Sequence, residues 1–183
     1  MPTQQQTELA AGTWNIDLAH SSAGFSVRHM MVSKVRGQFS AFDGAIVVAD
    51  DPLASTVEAT IEVESIDTRD PKRDAHLRSP DFFDAENYPQ ITFRSTGLET
   101  DGDDVKLNGD LTIKGVTRPI TLAVEVGGVL QDPWGLTRAG FTASGTLNRS
   151  EFGLEWNAAL ETGGVVIGDK VTLDLDIEAT LST

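Results

Sequence analysis

The chain has 183 residues and a formal net charge of −14, with 28 acids against 14 Lys and Arg, 39% hydrophobic residues and no cysteine. That size favours one domain, and the acidity disfavours both nucleic-acid binding and broad adsorption to anionic lipid surfaces. Neither a disulfide nor a thiolate nucleophile is available, and no stretch reaches the ~20 consecutive apolar residues of a membrane-spanning helix.

The first eleven residues lack the basic and apolar segments of a secretory signal. They read as a disordered lead over 1–11 on a cytoplasmic protein, with the folded domain over 12–183. Strands are expected at Thr13–Val27 and Lys34–Ala49, followed by the turn Asp50-Asp51-Pro52. Val57, Ala59, Ile61 and Val63 then alternate with Glu58, Thr60, Glu62 and Glu64, the period-two signature of a strand with one buried face. One helix follows: Asp70 is placed to N-cap it, Pro71 suits its first position, Asp74 and Arg78 stand four apart as a candidate ion pair, and Ser79-Pro80 stops it. Its apolar content is poor, so it reads as a cap over a barrel end rather than a core helix.

A strand at Gln90–Glu99 leads to a hairpin tip at Asp101-Gly102-Asp103-Asp104, and alternation returns at Val105–Ile113. Gly115–Pro119 reads as a turn, then Ile120–Val126 as a strand, Gln131-Asp132-Pro133 as a turn and Ala139–Leu147 as a strand. The segment from Asn148 to Gly164, with Phe152, Leu154 and Trp156, reads as a long apolar-tipped loop of the kind that covers or serves a site. Val171 to Ser182 alternates without a break. One-sided patterning repeated this often describes an all-β chain, a single antiparallel barrel of about eight strands with one short capping helix. A barrel of that size has just room for a small or slender ligand.

Catalytic and metal chemistry find little support. The histidines are His20, His29 and His76, with no HExxH spacing and no cysteine partner. Asp17 with His20, and Asp74 with His76, read as hydrogen-bonded structural groups rather than metal ligands. There is no GxSxG, and His20 and Ser21 as strand neighbours face opposite ways. No glycine-rich phosphate loop opens a helix. The expectation is no catalytic residue, no metal and no cofactor. Arg69, Lys72, Arg73 and Arg78 fall within ten residues around His76, so a local positive site can exist on the acidic protein. Phe82 and Phe83 either pack under the helix or line an opening.

Several short patterns occur in one order: Trp14-x-Ile-Asp17-x-x-His20-Ser21, Phe25-x-Val-x-His29, Gly37-x-Phe39 and Ser65-Ile-Asp67-Thr68. Arg73-Asp-x-His76-Leu-Arg78-Ser-x-Asp81-Phe82-Phe83-Asp84, Tyr88-Pro89-x-Ile91-x-Phe93 and Gly109-Asp-Leu-Thr-Ile113-Lys-Gly115-Val-Thr117-Arg-Pro119 follow. Phe141-x-Ala-x-Gly-x-Leu-x-Arg149-x-x-Phe152-Gly153-x-x-Trp156 and Ile167-Gly168-x-x-Val171 close the series. From about Gly12 to Leu181 the chain resembles the YceI-like proteins, lipocalin-like barrels associated with polyisoprenoid and other amphiphilic lipid binding. The resemblance implies an extended antiparallel barrel, a long apolar pore holding an isoprenoid or fatty-acyl chain, and no catalytic residues.

The inward-facing apolar sets supply candidates for tail contact: Phe25, Val27, Phe39, Ile61, Phe83, Phe93, Leu111, Phe141, Leu154 and Trp156, with Ala143 and Gly145 leaving width. His20, Arg69, Arg73, His76 and Arg78 are candidates for a polar head. The function expected is non-enzymatic binding, sequestration or transport of a long-chain amphiphilic lipid, a polyprenyl phosphate, a quinone precursor or a fatty-acyl compound. The alternatives are an enzyme, isomerase or cyclase, acting on a bound lipid, and an interaction module whose barrel is filled by its own side chains. The partner expected is the lipid itself, with no nucleic acid and no integral membrane span; a homodimer is possible.

Overall fold

The computed structural model describes residues 9–101, 104–157 and 166–182. Eleven strands, β1 (Gly12–Ile16), β2 (Ser22–His29), β3 (Ser33–Phe39), β4 (Phe42–Val48), β5 (Thr56–Glu62), β6 (Ile66–Asp67), β7 (Gln90–Asp101), β8 (Asp104–Ile113), β9 (Val116–Gln131), β10 (Thr137–Asn148) and β11 (Ile167–Leu181), form one sheet. All pairings are antiparallel, and β1 pairs with both β4 and β11, which closes the sheet into a barrel. The wall has eight staves, as the alternation predicts, because three of them are broken. β1 and β2 both lie against β11, β4 and β3 continue one another beside them, and β5 and β6 make the third.

The breaks fall together, and hydrogen bonds across them replace part of the interrupted ladder. The strand expected over Thr13–Val27 stops because Asp17 caps a short 3₁₀ turn at Leu18–His20, its carboxylate accepting from the Ala19 N–H. The Asp17 N–H donates to the Glu178 carbonyl, and the Ser21 hydroxyl accepts from the Glu178 N–H. The Lys34–Ala49 strand breaks at Ser40–Ala41, where the Ser40 N–H donates to Ser65 and the Glu62 N–H to the Ala41 carbonyl. The predicted turn over Gly115–Pro119 shrinks to Lys114-Gly115, both in the left-handed region with φ of 51° and 75°. Thr117 and Pro119 therefore join β9, where Pro119 pairs only with Asp110 of β8. The flank that lacks its N–H has no strand beside it at that height.

The helix α1 (Pro71–Arg78) has the predicted limits: Asp70 accepts from the N–H groups of Lys72 and Arg73, and the Ser79 N–H closes the last turn on His76. The expected Asp74–Arg78 pair is not made. Asp74 is buried and accepts from the backbone N–H and the hydroxyl of Thr68, donors that burial leaves without water. Arg78 instead donates to the carbonyls of Glu64 and Ile66, holding the third stave at its break.

The expected lead over 1–11 falls largely outside the described residues. Leu9 and Ala10 are placed: the Ala10 carbonyl accepts from the Trp14 indole at 2.9 Å. Trp14 is fully buried, packed with Val48, Ala139, Phe141 and Ala179 where β1 closes on β11. The larger cluster lies towards α1, from Phe39 and Val63 through Phe82 to Phe152 and Leu154. Of the expected 148–164 loop, Arg149–Phe152 is a 3₁₀ turn ended by Gly153 at φ 76°; residues 158–164 lie outside the described set. The Asp101–Asp104 tip joins β7 to β8, with 102 and 103 likewise outside.

Candidate ligand cavity

The inward faces of the staves do not meet. They enclose a cavity of about 810 Å³, lined from Ile167 to Ile177 along β11 and reaching Leu53 and Val126 at the end away from α1. That volume lies in the upper part of the range for small-molecule sites. The barrel is thus not filled by its own side chains. Its wall is overwhelmingly aliphatic and aromatic, so water would find few partners inside.

Local sequence keeps the space open. Phe25 faces Gly37 across the β2–β3 ladder. A Cβ on Gly37 would lie 2.5 Å from the Phe25 ring and 2.8 Å from the Thr68 methyl, so the glycine is what lets the ring lie against the wall. Gly109 receives the Phe93 ring in the same way. Phe25 stacks towards Phe39 at 5.6 Å between ring centroids, and Phe39 meets Phe83 edge-to-face at 6.0 Å, a run of aromatic wall ending beneath α1.

Nine of the ten tail candidates line this cavity, all but Trp156. Trp156 stands behind the lining, its ring edge-to-face with His76 at 4.7 Å and tilted on Phe82 at 5.5 Å. Ala143 lines the cavity, whereas Gly145 does not; a Cβ there would meet the Leu122 side chain and the Thr121 carbonyl, so its role is close strand packing.

The five head-group candidates separate. Arg73 and His76, one helical turn apart on α1, both line the cavity, together with Thr68. Arg73 donates from Nε to the Thr68 hydroxyl at 2.8 Å and from Nη2 to the Thr68 carbonyl at 2.6 Å. These bonds fix the guanidinium and leave three of its five N–H groups unused among the described residues. His76 Nε2 lies 2.8 Å from Asp81 Oδ2. The arrangement gives one end of an otherwise apolar space a fixed cation and several donors.

Arg69, Arg78 and His20 lie away from the cavity wall. Arg69 is exposed at a left-handed backbone position, φ 65°, and Arg78 is committed to the Glu64 and Ile66 carbonyls. His20 is exposed on the outer surface, with Nδ1 2.8 Å from Asp17 and 3.8 Å from Glu178. These three groups bring a ligand atom each within 4.8 Å of one another. Arg138 already supplies the positive charge there, at 2.8 Å from Asp17, 2.6 Å from Asp132 and 3.9 Å from Glu178. The hydrogen bond from Arg138, then that with His20, holds the Asp17 carboxyl below its ordinary range. Burial pushes the Asp132 carboxyl up, but the bonds from Arg138 and from the N–H groups of Leu136 and Trp134 outweigh it and bring it below its usual value.

Three Arg and His residues that line the cavity escaped the sequence reading. Arg28 and His29 reach it from the end of β2; continuing the Phe25, Val27 alternation by two residues points to His29. Arg149 is buried and donates to the carbonyls of Leu154, Trp156, Ile167 and Gly168 at 2.7–3.3 Å. It thereby ties Leu154 and Trp156 to the start of β11. No composition or periodicity marks an arginine for such a place; only its position in the Arg149-x-x-Phe152-Gly153 pattern sets it apart.

A model of the YceI-like domain matches residues 14–179. A UPF0312 protein of Staphylococcus aureus is 41% identical over 172 residues, spanning 92% of this chain and 98% of that one. The crystal structure of a Campylobacter jejuni YceI protein superposes with a TM-score of 0.72 at 32% identity, covering 85% of this chain and 90% of its own. A polyisoprenoid binding domain from Saccharophagus degradans, implicated in plant cell wall breakdown, has a TM-score of 0.71 at 17% identity, covering 92% and 98%, a likeness of fold.

Proposed function

Because the chain belongs to the YceI-like domain family, we propose that it binds a long-chain amphiphilic lipid inside the barrel, as a carrier or store rather than an enzyme. The observation that carries this is an apolar cavity of about 810 Å³ with fixed donors gathered at the α1 end. A polyisoprenoid is the first candidate, in keeping with the Saccharophagus domain of the same fold; a fatty-acyl compound is the second.

Magnitudes favour a long chain over a short one. Each CH₂ leaving water contributes ~0.8 kcal/mol. Ten give ~8 kcal/mol, no more than a middling estimate of the association cost of 4–15 kcal/mol. At ~30 Å³ per group, the share of one liquid water, the cavity has room for roughly 25. A tail nearer twenty groups therefore binds firmly through burial alone, and the head at Thr68, Arg73 and His76 sets orientation. An anionic head there gains charge-assisted bonds from Arg73 worth about 1.5–3 kcal/mol. Arg73→Gln should lower affinity for a polyprenyl phosphate about ten-fold or more and leave the matching polyprenol nearly unchanged, by competition against a fluorescent fatty acid. Absence of uptake of polyprenyl phosphates, quinones and fatty acids would sink the proposal.

One observation favours a second reading, an enzyme acting on the held lipid: His76 faces the cavity and is bonded to Asp81, the pairing of an acid–base group with its orienter. Lipid recovered chemically altered by the wild type but unaltered by His76→Gln, with binding retained in both, would establish it.

A further inference from the structure

The β2–β3 hairpin rises at the α1 end of the barrel and carries features the fold does not use. Its turn, closed by the Val32 N–H donating to the His29 carbonyl, sets both central residues in the left-handed region, Met30 at φ 51° and Met31 at φ 61°. Asn and Gly normally occupy such positions. Here they hold two large apolar side chains, and Met30, Met31 and Val32 are 44%, 64% and 81% exposed. Behind the tip, Arg28 stands directly opposite Lys34 on the outer face, with Arg36 next along that face. Like charges directly across a ladder destabilise it, and among the described residues none of the three forms an ion pair. In a chain with 28 acids, none lies between Asp17 and Asp43. The neighbouring acid on β11, Asp169, is engaged by the N–H and hydroxyl of Ser150.

We propose that this hairpin docks the protein on an anionic lipid bilayer, with Met30, Met31 and Val32 entering the interface and Arg28, Lys34 and Arg36 meeting the headgroups. An apolar tip flanked by bases is the composition that holds a surface-bound segment at the headgroup level. The net charge of −14 does not prevent this, because charges beyond the Debye length of about 8 Å at physiological salt are screened from the surface. On the inner face of the same hairpin, His29 and Val35 line the cavity, so docking brings this end of it to the bilayer. A second exposed apolar tip, with Trp134 at 80% and Leu130 at 61%, lacks this charge: Arg138 beside it is neutralised by Asp132 and Asp17. Lipid binding inside the barrel does not require docking, so this inference goes beyond the proposed function.

The test is sedimentation of the full chain with vesicles of phosphatidylcholine, alone or mixed with phosphatidylglycerol. Binding to the anionic vesicles is expected and should weaken as salt rises. At about fivefold per base, Arg28→Gln, Lys34→Gln and Arg36→Gln together should lower it on the order of 100-fold. Met31→Gly is the sharper variant. It removes an inserted side chain yet relieves the left-handed backbone, so vesicle binding should fall while thermal stability holds or rises. Wild type that ignores anionic vesicles, or Met31→Gly and triple variants that bind them as wild type does, would overturn the proposal. Uptake of soluble fluorescent fatty acid, measured on the same proteins, separates the two claims. Docking without uptake upholds this inference and removes the cargo reading; uptake without docking does the reverse.

Discussion

Replacing Arg149 by Met keeps the length of the side chain and removes the donors that hold Leu154 and Trp156 against the start of β11. Arg149 donates four hydrogen bonds, to Gly168 at 2.9 Å, Leu154 at 2.7 Å, Trp156 at 2.9 Å and Ile167 at 3.3 Å. Burial lowers its pKa, opposed by Asp169, but a guanidinium remains charged at neutral pH. A hydrogen bond to a charged group is worth about 1.5–3 kcal/mol, and four on one side chain do not add. Some of the freed carbonyls regain water as the segment loosens. The loss should resemble that for breaking a buried charged network, about 3–5 kcal/mol. At ~2–4 °C per kcal/mol for a chain of this size, Tm should fall by roughly 10 °C. Lys at the same position restores a point charge without the fork and should recover less than half of it. Calorimetry reads the stability, and limited proteolysis between Asn148 and Gly168 reads the loosening. A loss under about 1 kcal/mol, with unchanged proteolysis, would refute the clamp.

Three further outcomes are expected. Asp17 and Asp132 titrate below their ordinary value of 3.8 in the folded state, so their stabilisation is complete above that value and is lost as pH falls through the lower folded values. Tm should hold steady down to about pH 5 and then decline, and Arg138→Gln should flatten that decline while lowering Tm at neutral pH; parallel curves for the two proteins would refute the assignment. Ala143→Phe places a ring in the cavity and should weaken binding of a long-chain lipid at least ten-fold with little change in Tm, read by titration calorimetry; undiminished affinity would move the ligand elsewhere. Asp70→Ala removes the cap bonded to the Lys72 and Arg73 N–H groups and should cost about 1 kcal/mol by denaturant unfolding, whereas no measurable loss would mean that packing alone fixes α1.

Period-two alternation was enough to read the wall, because an eight-stave barrel buries one face of every strand; the run from Val171 to Leu181 lies within β11, which begins earlier, at Ile167, across a register shift. The helix limits were equally legible, since Asp70, Pro71 and Ser79-Pro80 act locally. What stayed hidden depends on contacts between distant residues. Asp17 breaks a stave because Glu178 and Ser21 absorb the interrupted ladder, and His20 is drawn outward by the same group rather than into the cavity. Asp74 turns from Arg78 to Thr68, six residues back, because Thr68 is buried. The cavity itself could be read as an inward apolar set, but not its emptiness. That depends on rings such as Phe25 and Phe93 lying over Gly37 and Gly109 instead of pointing to the axis.

The central claim is that the barrel holds a lipid, and native mass spectrometry of freshly purified protein tests it most directly, followed by solvent extraction of whatever is released. A discrete added mass that extracts as an isoprenoid or acyl lipid, and that Ala143→Phe fails to retain, is the predicted result. Protein of bare chain mass that stays bare after incubation with polyprenyl phosphates, quinones and fatty acids would contradict it.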